Sequence, residues 1–409
     1  MSAVPAGSGV AEIAADLRSG GPALRELVQA IAAAREDDRA DPAPALAVVR
    51  ASRLGALRVP RAQGGGGATL RELLAAIVDV AEVDPDVAHI LRNHFGFVEE
   101  RLLATRPGAQ DPWLRRVTDG ALFGMATTEA GPRPVGDDRA YATSVTTEGA
   151  VLRLRGTKQF VTGARFADHV AVLAMRGPQE IVHAVVPTDR AGVELRDDWD
   201  GIGQRHTGSG TAEFHDVRLA PDEVLPGWRL DLEAPATYEP TLAQLWLHAV
   251  IAGILRAVVT DAVSLVRSRP RTFSHAPTPV AADDPLLHQV VGELSATQYA
   301  TQALVLAAAD ALDVAAASGG LGGRPDREAV RDAAAAAARV KIHVDETALR
   351  AAGLLFEAGG ASATKTERRL DRHWRNIRTL VSHNPSRYKA QALGALLVSG
   401  RALPTNGYF

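Results

Sequence analysis

Apolar residues recur every three or four positions from Ala11 to about Leu122, as in LRELLAAIVDVAEVDPDVAHILRNHFGFVEERLL, and that spacing predicts amphipathic helices. The run breaks at RVPRAQGGGGATL, where four consecutive glycines cannot sit cheaply inside a helix, so a glycine loop divides the segment. From about Phe123 the texture changes to short alternating stretches rich in Val and Thr, such as ATSVTTEGAVLRLRGTKQFVTG, HVAVLAMRG and EIVHAVVPT, set apart by Gly, Pro and Asp. These read as strands. Past Pro240 the helical period returns in long segments, one opening behind Pro325 with Asp326 as N-cap and stopping at Gly359-Gly360. The order predicts an α+β protein in three units: helices over 1–122, a β domain over 123–232 and a helical bundle over 233–409. The greasiest run, LAQLWLHAVIAGIL at 242–255, is broken by Gln244 and His248 and is shorter than the ~20 residues that span a bilayer, so it reads as a buried helix rather than a membrane segment.

Length agrees with this division, because 409 residues exceed what one core usually holds. A net charge of -3, with 46% apolar and 23% charged residues, lacks the basic excess that binding a phosphate backbone requires, and nucleic acid is not an expected partner. The absence of Cys removes disulfides, thiolate nucleophiles and Cys-ligated metals together, and a reducing cytoplasm is the simplest home. The opening MSAVPAGSGVAEIAADLRSGG carries Glu12 and Asp16 where a signal peptide is apolar, so export by that route is not expected. The twelve His are scattered without an H-E-x-x-H spacing, and GGGGATL follows a helical segment rather than a strand. Neither a metal hydrolase nor a nicotinamide-binding fold is indicated.

Four motifs then narrow the class: MATTEAGPRPVGDD at 125–138, LRGTKQFVTGARFADHVAVLA at 154–174, WDGIGQRHTGSGTAEFHDVRL at 199–219 and FEAGGASAT at 356–364. In this order, between helical segments, they resemble the acyl-CoA dehydrogenase superfamily over nearly the whole chain. The resemblance implies a helical domain, a β-barrel-like domain and a four-helix bundle around a flavin. An isoalloxazine ring needs an apolar wall for its face and fixed polar groups at its edge. The resemblance puts Thr127, Thr128 and Thr162 at that edge, Phe160 against the ring and Trp199 as a further wall. For the phosphates it implies Arg271, Phe273 and, from a neighbouring subunit, Gly359, Gly360 and Ser362, hence a homotetramer. Phe356 stands where dehydrogenases usually have Gln, and Ser362 where related oxygenases often have Arg, which leaves FMN and FAD both open.

The stretch DRHWRNIRTLVSHNPSRYK at 371–389 bears on the choice between activities. Many acyl-CoA dehydrogenases place a catalytic Glu at the position of about Thr379, and no carboxylate follows Asp371 in this chain. The pattern LDRxWRNxRT, then His383, Asn384 and Pro385, instead resembles the flavin-dependent monooxygenase branch of the superfamily, as do DPDVAHILRNHF at 84–95 and WDGIGQR at 199–205. That resemblance implies reduced flavin (FMNH2 or FADH2) reacting with O2 to a C4a-(hydro)peroxyflavin. It further implies a separate NAD(P)H-flavin reductase and a small, heteroaromatic, sulfur- or nitrogen-containing substrate. Such a site needs a group that holds the distal oxygen and moves a proton, and imidazole suits this because its charge changes near neutral pH. His94 and His383 match the branch's active-site histidines, and Asn384 joins the flavin-contacting set, while His89 reads as structural. Leu380 replaces a second His often found in the branch, and Met125 replaces an Asn. Dehydrogenation of an acyl-CoA and a non-catalytic use of the fold remain the alternatives.

Overall fold

Six helices lead the chain: α1 (Val10–Ser19), α2 (Ala23–Ala34), α3 (Ala43–Ser52), α4 (Leu70–Val83), α5 (Pro85–Ala104) and α6 (Pro112–Thr118). The computed structural model describes residues 9–35, 37–106, 108–131, 134, 141–230, 237–320, 322–404 and 409. Local capping explains where the helices start. Thr69 Oγ1 accepts the Glu72 amide at 3.1 Å while the Glu72 carboxylate takes the Thr69 amide at 3.0 Å, a reciprocal cap on α4. Asp84 accepts the amides of Asp86 and Val87 to open α5, and Asp111 does the same for α6. Between α3 and α4 the glycine loop folds back on residues 56–59, with Gly66 N–H donating to Ala56 and Gly67 N–H to Val59. A Cβ on Gly66 would lie 2.8 Å from the Leu57 carbonyl, so only glycine lets the two backbones approach this closely.

Eight strands follow: β1 (Phe123–Ala126), β2 (Ser144–Glu148), β3 (Val151–Lys158), β4 (His169–Arg176), β5 (Glu180–Pro187), β6 (Val193–Leu195), β7 (Ala212–Leu219) and β8 (Val224–Arg229). They form one mixed sheet in the order β6-β7-β3-β2-β4-β5-β8, with β1 paired in parallel beside β4. Alternation sorts its faces. Val170, Val172 and Ala174 on β4 join Val182, Ala184 and Val186 on β5, with Leu154, Phe214 and Val217, in a core of the sheet's own. Ala171 and Val185, one residue out of step, enter the helical core instead. Both faces of β4 are therefore covered, which is why its pattern reads as an unbroken apolar run.

The bundle comprises α7 (Glu239–Ser268), α8 (Pro285–Gly319), α9 (Arg327–Gly359), α10 (Asp371–Val381) and α11 (Ser386–Ser399). The helix predicted from Asp326 is present, and Asp326 accepts the Ala329 amide at 2.9 Å. Over residues 242–255 α7 is apolar on nearly all sides because it runs through the middle, and the helix packs against α4, α5, α8, α9 and α10. α7 and α8 are each long and apolar enough to cross a membrane, and in α7 61% of the most apolar window is buried inside the protein. Trp246 sits fully buried at its heart, 5.3 Å from the Phe95 ring, and donates its Nε1–H to Ala88 O at 2.8 Å.

Gly253 marks the closest crossing, of α7 on α4, where a Cβ would lie 2.5 Å from Val78 O and 2.6 Å from Ala81 Cβ. Gly253→Ala would gain ~1 kcal/mol of helix propensity, yet it would force two helix backbones apart, a cost of about 1–3 kcal/mol or more. The second effect should win. Urea denaturation should show a net loss of stability, and an unchanged or raised midpoint would contradict this packing.

Candidate active site

The face of α5 that carries His89, Arg92, Asn93 and Gly96 is set by helical spacing of three and four. Each of these residues reaches a different part of the fold. His89 Nδ1–H donates to Gln204 Oε1 at 3.0 Å, in the loop after β6. Arg92 Nε–H donates to Ala243 O of α7 at 2.7 Å, and its Nη2 lies 3.5 Å from His383 Nε2. Asn93 Nδ2 donates to Thr162 O at 2.8 Å. At Gly96 a Cβ would come within 3.1 Å of Met125 Sδ. Three structural units thus meet along one helix face.

The loops of the β domain are tied together by buried polar groups. Lys158, fully buried, donates to Thr127 O at 3.1 Å and pairs with Glu129 at 2.9 Å, and its charge lies 4.3 Å from the Tyr141 ring. Burial pushes the Lys158 ammonium down to about 8; Lys158 and two backbone amides hold Glu129 down at about 2 despite partial burial. Gln159 N–H donates to Thr128 O at 2.8 Å, which fixes the Thr127-Thr128 turn against the segment carrying Phe160 and Thr162. Thr162 Oγ1 lies 2.8 Å from Ser209 Oγ, which lies 2.6 Å from Thr207 Oγ1, which donates to Gln204 O at 2.9 Å. Because the Thr207 hydrogen is committed to that carbonyl, Ser209 donates to Thr207 and Thr162 donates to Ser209. Trp199 Nε1–H closes the chain on the same carbonyl at 2.8 Å.

The bundle supplies the third wall. Asn376 Oδ1 accepts the Gln204 amide at 2.7 Å and Arg375 donates to Ile202 O at 2.9 Å, so α10 holds the loop after β6. Gly203 permits this, since any Cβ there would collide with the Arg375 carbonyl. Arg372 and His373 both engage Asp261 of α7 at 2.8 Å, and Arg378 caps its own helix end through Ser382. The cationic cluster in the sequence is thus largely a set of ties. Beyond α10, Lys341 Nζ donates to Val381 O at 3.2 Å and to Asp345 at 2.9 Å, while Asn384 Nδ2 donates to Gln244 Oε1 at 2.8 Å. His383 is presented between these anchors. Its ring is reached by solvent but is crowded enough that loss of water, then Arg92 and His89, keep its pKa well below the ordinary value. Since guanidinium can only donate, His383 Nε2 accepts, and the ring is neutral with its proton on Nδ1.

The structure brings Thr127, Thr128, Phe160, Thr162, Trp199, His383 and Asn384 to this junction. It does not bring His94. Two positions on from Arg92, that side chain points into the core, 1% exposed, accepting the Phe123 amide on Nδ1 at 3.2 Å and donating from Nε2 to Gly55 O at 3.0 Å. Both nitrogens are engaged, and burial pushes its pKa down to about 4. His89, expected to be structural, shares the face of α5 with Arg92 and Asn93, its pKa pushed down to about 3 by burial and by Arg92. Arg92, Asn93 and Gln204 were not singled out from the sequence, although His89, Arg92 and Asn93 share one helical stripe. The phosphate-end residues form a second group, where the end of α7 meets the end of α9. Arg271 and Phe273 are exposed there, Arg269 lies 5.7 Å over the Phe273 ring, and Ser362 Oγ donates to Gly359 O at 3.0 Å. Among the described residues the one grouping suited to a metal is Glu194, Glu213 and His215 on the β-domain rim, and Arg196 pairs with both carboxylates.

A flat aromatic group fits the first cluster. Phe160 is 59% exposed at a positive φ of 56°, an unfavourable pair of choices for an isolated aromatic, and it meets Trp199 edge-on at 6.2 Å. Beside them Gln204 Nε2 is buried with no acceptor among the described residues. These features suit a flavin-binding class of enzyme. Residues 124–217 match the family described as acyl-CoA dehydrogenase, middle domain, and residues 245–387 the acyl-CoA dehydrogenase, C-terminal domain. The chain is 31% identical over 366 residues to the probable FMNH2-dependent monooxygenase SfnC of Pseudomonas putida, covering 88% of this chain and 89% of that one. FMN-bound TdsC, a dibenzothiophene monooxygenase of Paenibacillus sp. A11-2, superposes with a TM-score of 0.85 at 26% identity, covering 97% and 100% of the two chains. Methanesulfinate monooxygenase MsuC of Pseudomonas fluorescens superposes with a TM-score of 0.80 at 27% identity over 100% of both. The chain belongs to the acyl-CoA dehydrogenase superfamily, in its flavin-dependent monooxygenase branch.

The buried, neutral state of His94 can be checked by acid denaturation. Its folded pKa is depressed, so the stability it contributes is full above ~6.5 and is lost as pH falls towards about 4, at ~1.4 kcal/mol per unit. His94→Leu strands the Gly55 carbonyl and the Phe123 amide, which should cost about 2–4 kcal/mol at pH 7. At pH 5 that difference should shrink by about 2 kcal/mol. A gap independent of pH would mean that His94 is not buried neutral.

Proposed function

We propose that this chain is the oxygenase of a two-component system: a homotetramer in the cytoplasm that receives reduced FMN from a separate NAD(P)H-flavin reductase and oxygenates a small sulfur- or nitrogen-containing molecule. The enzyme is a reduced-flavin-dependent monooxygenase. When bound, reduced flavin supplies the two electrons with which O2 is split, one oxygen atom going to the substrate and the other to water. The relatives support FMN over FAD, since SfnC is described as FMNH2-dependent and TdsC binds FMN.

The observation that carries this reading is the neutral imidazole of His383, offered at the junction of α5, the β-domain loops and the bundle. Dehydrogenation in many members of the superfamily uses a carboxylate base at this place. Thr379 stands at the expected position, and its hydroxyl donates to Arg375 O at 3.0 Å. Asp345 is the buried acid of this part of the bundle, and it is bound to Lys341 at 2.9 Å and to His248 at 3.1 Å. It is not placed as a free base. The Thr127-Thr128 turn and Thr162 would meet the polar edge of the ring, with Phe160 and Trp199 against its face. Thr162, whose hydrogen is turned inward to Ser209, would offer a lone pair outward. His383 would accept or return a proton through its exposed ring. The second group of residues, around Gly359, Gly360, Ser362, Arg271 and Phe273, would grip phosphate supplied with a flavin seated mainly on a neighbouring subunit.

Mixing photoreduced FMN, O2 and a panel of sulfides, sulfinates, indoles and amines should give product labelled from ¹⁸O2. His383→Ala should lower product formation about 10²–10⁴-fold, with hydrogen peroxide released instead, while FMN affinity changes little. Bleaching of enzyme-bound oxidised flavin by an acyl-CoA would reverse the reading.

A further inference from the structure

Lys341 and Asp345 are buried side by side on α9, one turn apart, with Nζ 2.9 Å from Oδ2. Taking both charges out of water is costly, and with Lys ahead of Asp the pair runs in the order that favours a helix less. Stability of α9 therefore does not account for it. Its contacts with other helices do. Lys341 Nζ also donates to Val381 O at 3.2 Å, at the end of α10. Asp345 Oδ1 lies 3.1 Å from His248 Nε2 on α7, and His248 Nδ1 lies 3.1 Å from Gln244 O. Burial keeps the pKa of that ring below its ordinary value, so it carries one proton; of its two acceptors Asp345 bears the charge, and Nε2–H donates to it. Gln244, one turn earlier on α7, accepts from Asn384 Nδ2 at 2.8 Å. Val381 and Asn384 flank His383, and both contacts lead back to Asp345, one through Lys341 and the other through His248 and its turn of α7. Asp345 also acts on Lys389 of α11.

We propose that Asp345 is a positioning residue for oxygenation, the shared anchor that clasps the turn carrying His383 from both sides. The inference rests on the role given to His383 under the proposed function and adds what holds that side chain in place. Asp345 would act through Lys341 and His248, without touching flavin or substrate. It keeps the Lys341 ammonium charged and aimed at Val381. Without it, a buried amine beside other cations sheds its proton, and a carbonyl at the end of α10 loses its charged donor. The groups that act electrostatically on His383 are Arg92 and His89 of α5, Lys341 of α9 and Lys389 of α11, while Arg378 of α10 acts on Lys341. All four of the first set disfavour a second proton on the His383 ring, so removing the Lys341 charge raises its pKa.

The test uses the intact protein with Asp345→Asn, Lys341→Met and the double variant, because a buried charge pair is better removed together than left with one partner. Peptide-resolved hydrogen exchange in Asp345→Asn and in the double variant should rise about tenfold or more over residues 380–386, with α4 and α5 unchanged. With photoreduced FMN and ¹⁸O2, kcat for product should fall about tenfold or more, hydrogen peroxide being released in its place, while KM and FMN affinity change less than about threefold. In Lys341→Met the acid limb of the pH–rate profile should move to higher pH, a shift that looser packing alone does not give. Unchanged exchange over 380–386 in Asp345→Asn, or in the double variant should the single one not fold, would overturn the proposal. So would exchange raised equally throughout the chain, or a loosened turn with kcat and its pH profile intact. Failure of the monooxygenase reading is separate: the wild-type protein would then give no labelled product from any substrate, and hydrogen exchange would still show whether Asp345 holds the turn.

Discussion

At the N-terminus of α5 the guanidinium of Arg35 reaches two buried carboxylates, Asp84 at 2.6 Å and Asp86 at 2.9 Å. Asp84 also caps the helix, and Asp86, crowded by burial and by Asp84, is pushed up to about 7. Taking an ion cluster out of water is expensive, so its value lies less in net stability than in allowing few alternatives. It pins α5 in position and in rotation. Everything else at the site depends on that rotation, because the same helix points Phe95, Phe97 and His94 into the core and His89, Arg92 and Asn93 towards the loops of the β domain.

A second feature of the site is that its polar groups are held from behind. The Thr162–Ser209–Thr207 hydroxyls form a directed chain ending on the Gln204 carbonyl, and Gln204 is at once a partner of His89, Trp199 and Asn376. Gln204 adopts a φ of 52° to do so. One strained, fully buried residue therefore links all three structural units. Such a network keeps lone pairs and donors aimed before any ligand arrives, which is what a site that must exclude water and control a proton requires.

The turn between α10 and α11 shows the same design with charge. Lys341 places an ammonium at the C-terminal carbonyls of α10, where the helix dipole is negative, and Asn384 is fixed by Gln244. His383, between them, is then tuned by Arg92 from a helix nearly three hundred residues earlier in the chain. Loss of water is the larger cause of its depressed pKa, and Arg92 and His89, both on that distant helix, add to it.

The sequence by itself determined the elements and the class of chemistry. Periodicity separated helices from strands; Thr69, Asp84 and Asp326 announced the caps; and the missing carboxylate after Asp371 argued for an oxygenase over a dehydrogenase. These are local properties, readable because capping and amphipathicity act over one or two turns. Which histidine enters the core and which meets the β-domain loops was decided only by tertiary structure. His89 and His94 lie on one helix about 140° apart, and nothing local says which direction is core until Gly55, Phe123 and Gln204 arrive from elsewhere. Arg92 was equally silent, since an arginine on a helix usually solvates a face. It becomes part of the site only because packing brings residue 383 to its tip, and a contact across that separation leaves no periodic trace in the chain.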